Sequence, residues 1–313
     1  MHDADLLAKF MRITVVHQGA LGDTVLLASL LASLQMRWPA AERTLVTRCS
    51  FGRLMVKLVL AESAFDADDA RHSAWFGPCQ VGPGASGPDA FLPWADSDLL
   101  LSAVSSGQDA WAANARQACP GAQILFFSPR PPPDYPHHVA SFHRWQLAPL
   151  QLLPPVLANR AQRRDGPLLI HPGSGGREKC WSLENFIRVA HAVNESGIHV
   201  EFLLGDVELE RFSRSDVARM GREFVVHRDM SLVQAVDLLA ASRCYLGNDS
   251  GMIHLAAWVG VPVVAIFGPS NAVQWRPVGP HVQVYQSAVD FRDVYRSDEE
   301  FHQVCKLVLE QCG

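Results

Sequence analysis

Lysine is scarce in this sequence: 313 residues contain four, at Lys9, Lys57, Lys179 and Lys306. With 27 basic against 32 acidic residues the net charge is -5, so no basic stripe exists to hold nucleic acid, and no nucleic-acid partner is expected. Long hydrophobic runs are also missing. No apolar stretch approaches the ~20 residues that span a bilayer. The opening Met1-His-Asp-Ala-Asp5 does not read as a signal peptide. The seven cysteines are scattered, odd in number and form no C-x-x-C pair, so neither a disulfide framework nor a zinc site is indicated. A reducing cytoplasm is the expected location.

What the chain does have is apolar residues, 48% of the total, enough for sizeable cores. At ~100–200 residues per domain, two domains are expected. The prolines of Leu153-Pro-Pro155 and the polar run Arg160-Ala-Gln-Arg-Arg-Asp-Gly166 mark a linker. This places an N-terminal domain at 1–158, a linker at 159–166 and a C-terminal domain at 167–313, with the last helix able to cross back to the first domain.

Both halves alternate short β-branched or apolar runs with helical segments, the rhythm of parallel doubly wound sheets. Arg12 to His17 reads as a strand, Gln18 to Asp23 as a glycine loop and Thr24 to Arg37 as a helix. Gly19 and Gly22 permit a tight turn, but their spacing is not G-x-G-x-x-G, so a dinucleotide site is not indicated. Asp23 at the helix start is either a first-turn dipole partner or a carboxylate aimed into a cleft. A helix is expected from Phe51 to Ala61. Asp66-Ala-Asp-Asp69 contains a D-x-D but reads as a solvated loop. Gly77 to Pro93 reads as an irregular loop, and His137, His138 and His143 as ordinary surface residues without a metal-ligand pattern.

In the second half, three glycine- or acid-containing loops fall at strand ends: 173–181, 205–208 and 247–251. Ser174, Gly175 and Gly176 leave backbone N–H groups free to cradle an anion, and Arg177 and Lys179 add positive charge beside it. The G-x-x-x-x-G-K-[ST] pattern is absent, which disfavours a Walker-type NTPase. The second loop supplies Asp206. In the third, Asn248, Asp249 and Ser250 precede a helix whose first N–H groups attract negative charge. Asp249 or Ser250 is alternatively only the helix N-cap. Anion-binding loops in one half and a carboxylate in the other suit group transfer from a nucleotide-activated donor. Positive charge from Lys179, Arg177 and helix N-termini makes a metal unnecessary.

Three segments carry a family resemblance: Gly19-Ala-Leu-Gly-Asp23, His171-Pro-Gly-Ser-Gly-Gly-Arg-Glu-Lys-Cys-Trp-Ser182, and Asn248-Asp-Ser-Gly-Met-Ile-His254 followed by Gly260-Val-Pro262 and Phe267-Gly-Pro-Ser270. In this order they resemble glycosyltransferase family 9, the ADP-heptose–lipopolysaccharide heptosyltransferases and their relatives. The resemblance implies an α/β fold of GT-B type, two Rossmann-like doubly wound domains facing a central cleft. It also implies metal-independent, inverting transfer of a sugar, a heptose from ADP-heptose, to a hydroxyl of lipopolysaccharide or a related glycan. No cofactor is implied, the ADP-linked sugar being a substrate. Asp23 would be the catalytic base, with Gly19 and Gly22 on the acceptor side. Ser174, Gly175, Gly176, Arg177, Lys179, Asp206, Asp249, Ser250, Gly251 and His254 would bind the donor. The acceptor would be a glycan or glycolipid, which leaves room for peripheral contact with the inner face of the cytoplasmic membrane. The chain departs from the family pattern after Asp23, continuing Thr24-Val-Leu-Leu-Ala28. Between Phe51 and Asp98 only Arg53, Lys57 and Arg71 are basic. A nucleotide-sugar epimerase or hydrolase, or a non-catalytic binding protein, is the alternative reading.

Overall fold

The computed structural model describes residues 10–70, 75–76, 94–157, 165–288, 291 and 298–313. Most of the expected linker and the expected loop at 77–93 lie outside these residues. The chain divides into two compact units, Met1–Pro155 and Val156–Gly313.

The first unit runs β1 (Arg12–Val16), α1 (Leu21–Arg37), β2 (Glu42–Thr47), α2 (Cys49–Lys57), β3 (Ser63–Asp66), β4 (Leu99–Ser102), α3 (Ala110–Ala118), β5 (Gln123–Phe126) and α4 (Val139–Gln146). Its five strands pair in parallel in the order β3-β2-β1-β4-β5. The central strands are covered on both faces, so they are predominantly apolar: Ile13, Val15 and Val16 in β1 and Leu99 to Leu101 in β4 are all buried. Two boundaries differ from expectation. Helix α1 starts three residues early, inside the glycine loop, so Gly22 and Asp23 sit in its first turn. Helix α2 stops at Lys57 because Val59 adopts a left-handed φ of 59°, and Leu60 N–H closes the turn on Met55 O at 3.0 Å. Asp66 of the D-x-D ends β3, a strand not expected from the sequence, and its Oδ1 accepts from the N–H of Asp68 at 3.1 Å.

The second unit runs β6 (Leu168–His171), α5 (Leu183–Glu195), β7 (Val200–Leu203), α6 (Asp206–Arg211), α7 (Arg214–Glu223), β8 (Val225–His227), α8 (Leu232–Ala241), β9 (Cys244–Asn248), α9 (Gly251–Val259), β10 (Val263–Phe267), α10 (Ala272–Trp275), β11 (Val282–Gln286) and α11 (Asp298–Cys312). Its strands are again parallel, in the order β11-β10-β9-β6-β7-β8. Helices α6 and α7 are divided where Ser213 caps α7 by accepting from the N–H of Asp216. Phe186, Val189 and Val193 of α5 pack with Val304 and Val308 of α11 and with Phe202 and Ile266 of the sheet, so the last helix contributes to the core of its own unit. Among the described residues, no helix is long and apolar enough to cross a membrane.

Each sheet has one point where successive connections leave in opposite directions: between β1 and β4 in the first unit, and between β6 and β9 in the second. Open α/β sheets bind ligands outside the carboxyl ends of the strands at such points. The loops after β1, β6 and β9 are the three that carry the sequence motifs.

Candidate active site

In the first unit, β1 delivers His17 into the interior and the chain turns through Gly19 into α1. Gly19 N–H donates to His17 Nδ1 at 3.3 Å, which makes Nδ1 the acceptor and places the neutral ring's proton on Nε2. Nε2 is buried without a hydrogen-bond partner among the described residues. The turn needs glycine: a Cβ at Gly19 would lie 2.5 Å from His17 Cε1 and 2.7 Å from Asp23 Cβ. Asp23 reaches back from the first helical turn, its Oδ2 accepting from Ala20 N–H at 3.3 Å and from Arg130 Nη2 at 2.7 Å. No described residue donates to Oδ1, and the Asp23 side chain is 12% exposed. Arg130 is anchored through its neighbour. His143, 2% exposed, donates from Nε2 to Pro129 O at 2.9 Å and stacks edge-on against Phe127. Burial pushes both His17 and His143 down to about 4, so both rings are neutral near pH 7. His143 is therefore a core residue, not the surface histidine expected. His138 is the N-cap of α4, its Nδ1 accepting from Ala140 N–H at 3.1 Å. At the carboxyl ends of β4 and β5 lies a cavity of about 470 Å³, lined by Ser105, Ser106, Phe126, Phe127, Ser128 and Gln146. Its wall at Ser128 and Pro129 continues directly to Arg130.

In the second unit, the loop after β6 and the turn after β9 are tied together. Ser174 Oγ donates to Asp249 O at 2.7 Å, and Lys179 Nζ donates to Asp249 Oδ2 at 2.7 Å. Asn248 supports the same junction, accepting from Trp181 N–H and donating to Pro172 O, both at 2.9 Å. His254 Nε2, one turn into α9, lies 3.9 Å from Asp249 Oδ1. Ser250 occupies the N-cap position of α9, but its hydroxyl makes no cap bond: Oγ is buried without a hydrogen-bond partner among the described residues. Such a hydroxyl beside unpaired helical N–H groups can donate to an acceptor atom from outside the chain.

Beneath the loop sits Glu208 of α6. Gly205 N–H donates to its Oε2 at 2.8 Å, and His171 Nε2 lies 3.4 Å from the same oxygen. Burial alone would raise its pKa, yet His171 and the Gly205 N–H outweigh that and hold it below the ordinary carboxylate range. Gly173 must be glycine here, because the space a Cβ would fill is occupied by the Glu208 carboxylate.

Residues 150–300 match the family model for glycosyltransferase family 9 (heptosyltransferase). Lipopolysaccharide heptosyltransferase 2 of Escherichia coli (strain K12) is 35% identical over 135 residues, 41% of this chain and 38% of that protein. The C-terminal half of the chain is therefore similar to that family. The chain thus spans well under half the length of that curated relative. Solved structures extend the fold across both units. The glycosyl transferase family 9 structure from Veillonella parvula DSM 2008 has a TM-score of 0.71 at 18% identity, covering 98% of each chain. E. coli heptosyltransferase WaaC with ADP has a TM-score of 0.71 at 18% identity, covering 96% of this chain and 100% of that one. The fold is therefore α/β of the GT-B type, with two Rossmann-like units.

Of the residues singled out in the sequence, the structure gathers Ser174, Lys179, Asp249, Ser250, Gly251 and His254 around one junction in the second unit. Gly175 and Arg177 are exposed on the same loop, and Gly176 is half-buried. Asp206 is different. It is exposed as the first residue of α6, and the acid that turns inward is Glu208, two residues on. In the first unit, Gly19, Gly22 and Asp23 form one turn. Sequence reasoning missed Arg130, His17, His143 and Arg211. The only signal for Arg130 was its position in the proline-rich breaker Pro129-Arg-Pro-Pro-Pro133, which fixes the backbone that carries it.

Proposed function

We propose that this chain is a metal-independent, inverting glycosyltransferase that moves a sugar, a heptose, from an ADP-linked donor to a hydroxyl of a lipopolysaccharide or related glycan. The observation that carries the reading is the junction of Lys179, Asp249 and the unpartnered Ser250 Oγ at the start of α9. There one cation, one hydroxyl and a set of free N–H groups meet, which suits a diphosphate gaining charge as it leaves. Lys179 and the N-terminus of α9 supply the positive charge that a metal supplies in other transferases. The E. coli relative solved with ADP supports an adenine nucleotide as the carrier.

In this reading Asp23 Oδ1 takes the proton of the acceptor hydroxyl, while Oδ2 stays bonded to Arg130 and the Ala20 N–H. The acceptor oxygen forms its bond to the anomeric carbon as the bond to the diphosphate oxygen breaks. ADP leaves with the electron pair, and one in-line displacement inverts the centre. His17 and His143 stay neutral and take no proton. The cavity beside β4 and β5, with its serines, phenylalanines and glutamine, suits a sugar of the acceptor. Action at the inner face of the cytoplasmic membrane fits a glycolipid acceptor.

The test is to incubate purified protein with ADP-heptose and lipopolysaccharide core saccharides. ADP release and a mass gain of one heptose residue on the acceptor are the expected result. Donor consumed without acceptor modification would mean a hydrolase, and binding without turnover a carrier; either overturns the transferase reading.

A further inference from the structure

Arg211, the last residue of α6, makes two contacts that neither motif nor composition pointed to. Its Nη1 donates to Ser174 O at 2.6 Å and its Nη2 to Gly175 O at 2.6 Å. In a trans peptide the carbonyl of one residue and the N–H of the next point in opposite directions. Pinning these two carbonyls therefore turns the N–H groups of Gly175 and Gly176 away from the guanidinium. No described residue accepts from either N–H. Around Gly175 the loop is open, since a Cβ there would meet nothing within 4 Å, whereas at Gly176 a Cβ would meet the Glu178 carboxylate. From the other direction Ser174 Oγ fastens the same loop to Asp249 O.

Helix α6 thus grips the loop with two side chains three residues apart, which lie on one helical face. Glu208 fills the space beside Gly173, and Arg211 takes the next two carbonyls. A Gly-Ser-Gly-Gly segment has more backbone freedom to lose than most four-residue segments, so unaided it would order its amides only on binding. A rigid fork of donors removes that cost in advance, and guanidinium is the side chain that meets two acceptors at once.

We infer that Arg211 is a positioning residue that presets the Gly175 and Gly176 amides as donors to the diphosphate of the nucleotide sugar. It lies on the carbonyl side of the loop and does not itself touch the ligand. The inference rests on the reading of this loop as the donor's diphosphate site.

The experiment measures binding of ADP and of adenosine to wild type, Arg211→Gln and Arg211→Lys by calorimetry. Folding is followed by thermal melting, and amide exchange of the wild-type loop is measured with and without ADP. Arg211→Gln should weaken ADP about tenfold, the loss expected for amides no longer preset, and leave adenosine unchanged. Arg211→Lys, reaching one carbonyl, should fall between. ADP should slow exchange of the Gly175 and Gly176 amides in wild type. A wild type that does not bind ADP sinks the donor-site reading itself. If wild type binds, an Arg211→Gln protein with unchanged ADP affinity, or with equal losses for ADP and adenosine, overturns the role of Arg211 alone. Unaltered exchange at Gly175 and Gly176 on adding ADP does the same even where the variants fail to fold.

Discussion

Arg130 and Asp23 are 107 positions apart in sequence, yet the guanidinium donates to one carboxylate oxygen of Asp23 at 2.7 Å and leaves the other unbonded. A carboxylate held by one oxygen is oriented, and its second oxygen is available to a proton. Asp23→Asn preserves the shape and the reach back to Ala20 but removes the basic oxygen. It should lower kcat at least ~100-fold. ADP affinity measured by calorimetry should stay within about twofold, since the interaction lost belongs to the transition state. A variant with wild-type turnover would remove Asp23 from the chemistry.

Ser250 separates a structural from a ligand-binding role with one substitution. An N-cap serine that bonds its helix costs ~1 kcal/mol when replaced by alanine. Here the hydroxyl bonds nothing in the described chain. Ser250→Ala should therefore leave the ligand-free melting temperature unchanged or slightly higher, while ADP affinity falls about three- to tenfold, one hydrogen bond's worth. The reverse pattern, a destabilised protein with normal affinity, would make Ser250 an ordinary cap.

Lys179 should behave differently because it holds Asp249 and, in the proposed reading, the ligand as well. Lys179→Ala strips the cation from a nearly buried carboxylate, so both the melting temperature and ADP affinity should drop. A loss of affinity of at least ~10-fold is expected for a charge-assisted bond. Thermal melts of the variant with and without ADP measure both effects together, and an ADP-induced rise equal to that of wild type would place the lysine outside the site.

Acid should unfold the first unit through its two buried histidines. Both are held at about 4 against an ordinary 6.5. Below 6.5 the unfolded chain takes up a proton on each ring while the folded chain refuses it until about 4. Their stabilising contribution is thus complete above that window and lost as pH falls through it, at up to ~1.4 kcal/mol per pH unit for each ring. Melting temperatures recorded between these pH values should decline steeply, and less steeply in His17→Asn or His143→Gln. Equal slopes in variant and wild type would show that neither ring carries the dependence.

The alternation of strands and helices was legible because parallel strands covered on both faces must be continuously apolar, as Leu168-Leu-Ile170 and Val263 to Phe267 are. Strand β3 was not, since Ser63-Ala-Phe-Asp66 at the sheet edge has no such run. The loop after β6 could be picked out from its glycines and its one lysine. Its supports could not: Glu208 and Arg211 look like the charged face of any short helix until the fold brings them under Gly173 and Gly175. Arg130 and Asp23 show the same limit, because nothing in either neighbourhood names a partner more than a hundred residues away. His143 was misread for a related reason. A polar residue in a polar segment looks exposed, and only the packing of α4 against Phe127 buries it.

Gly173 has a consequence for how this protein tolerates change. The Glu208 carboxylate stands where a methyl group would otherwise project, so even alanine at this position would evict an acid already bonded to Gly205 N–H and facing His171. The displaced acid would drag on α6, and through it on every side chain that helix presents to the loop. One carbon atom, added well away from any reacting bond, would then suffice to dismantle the whole seat.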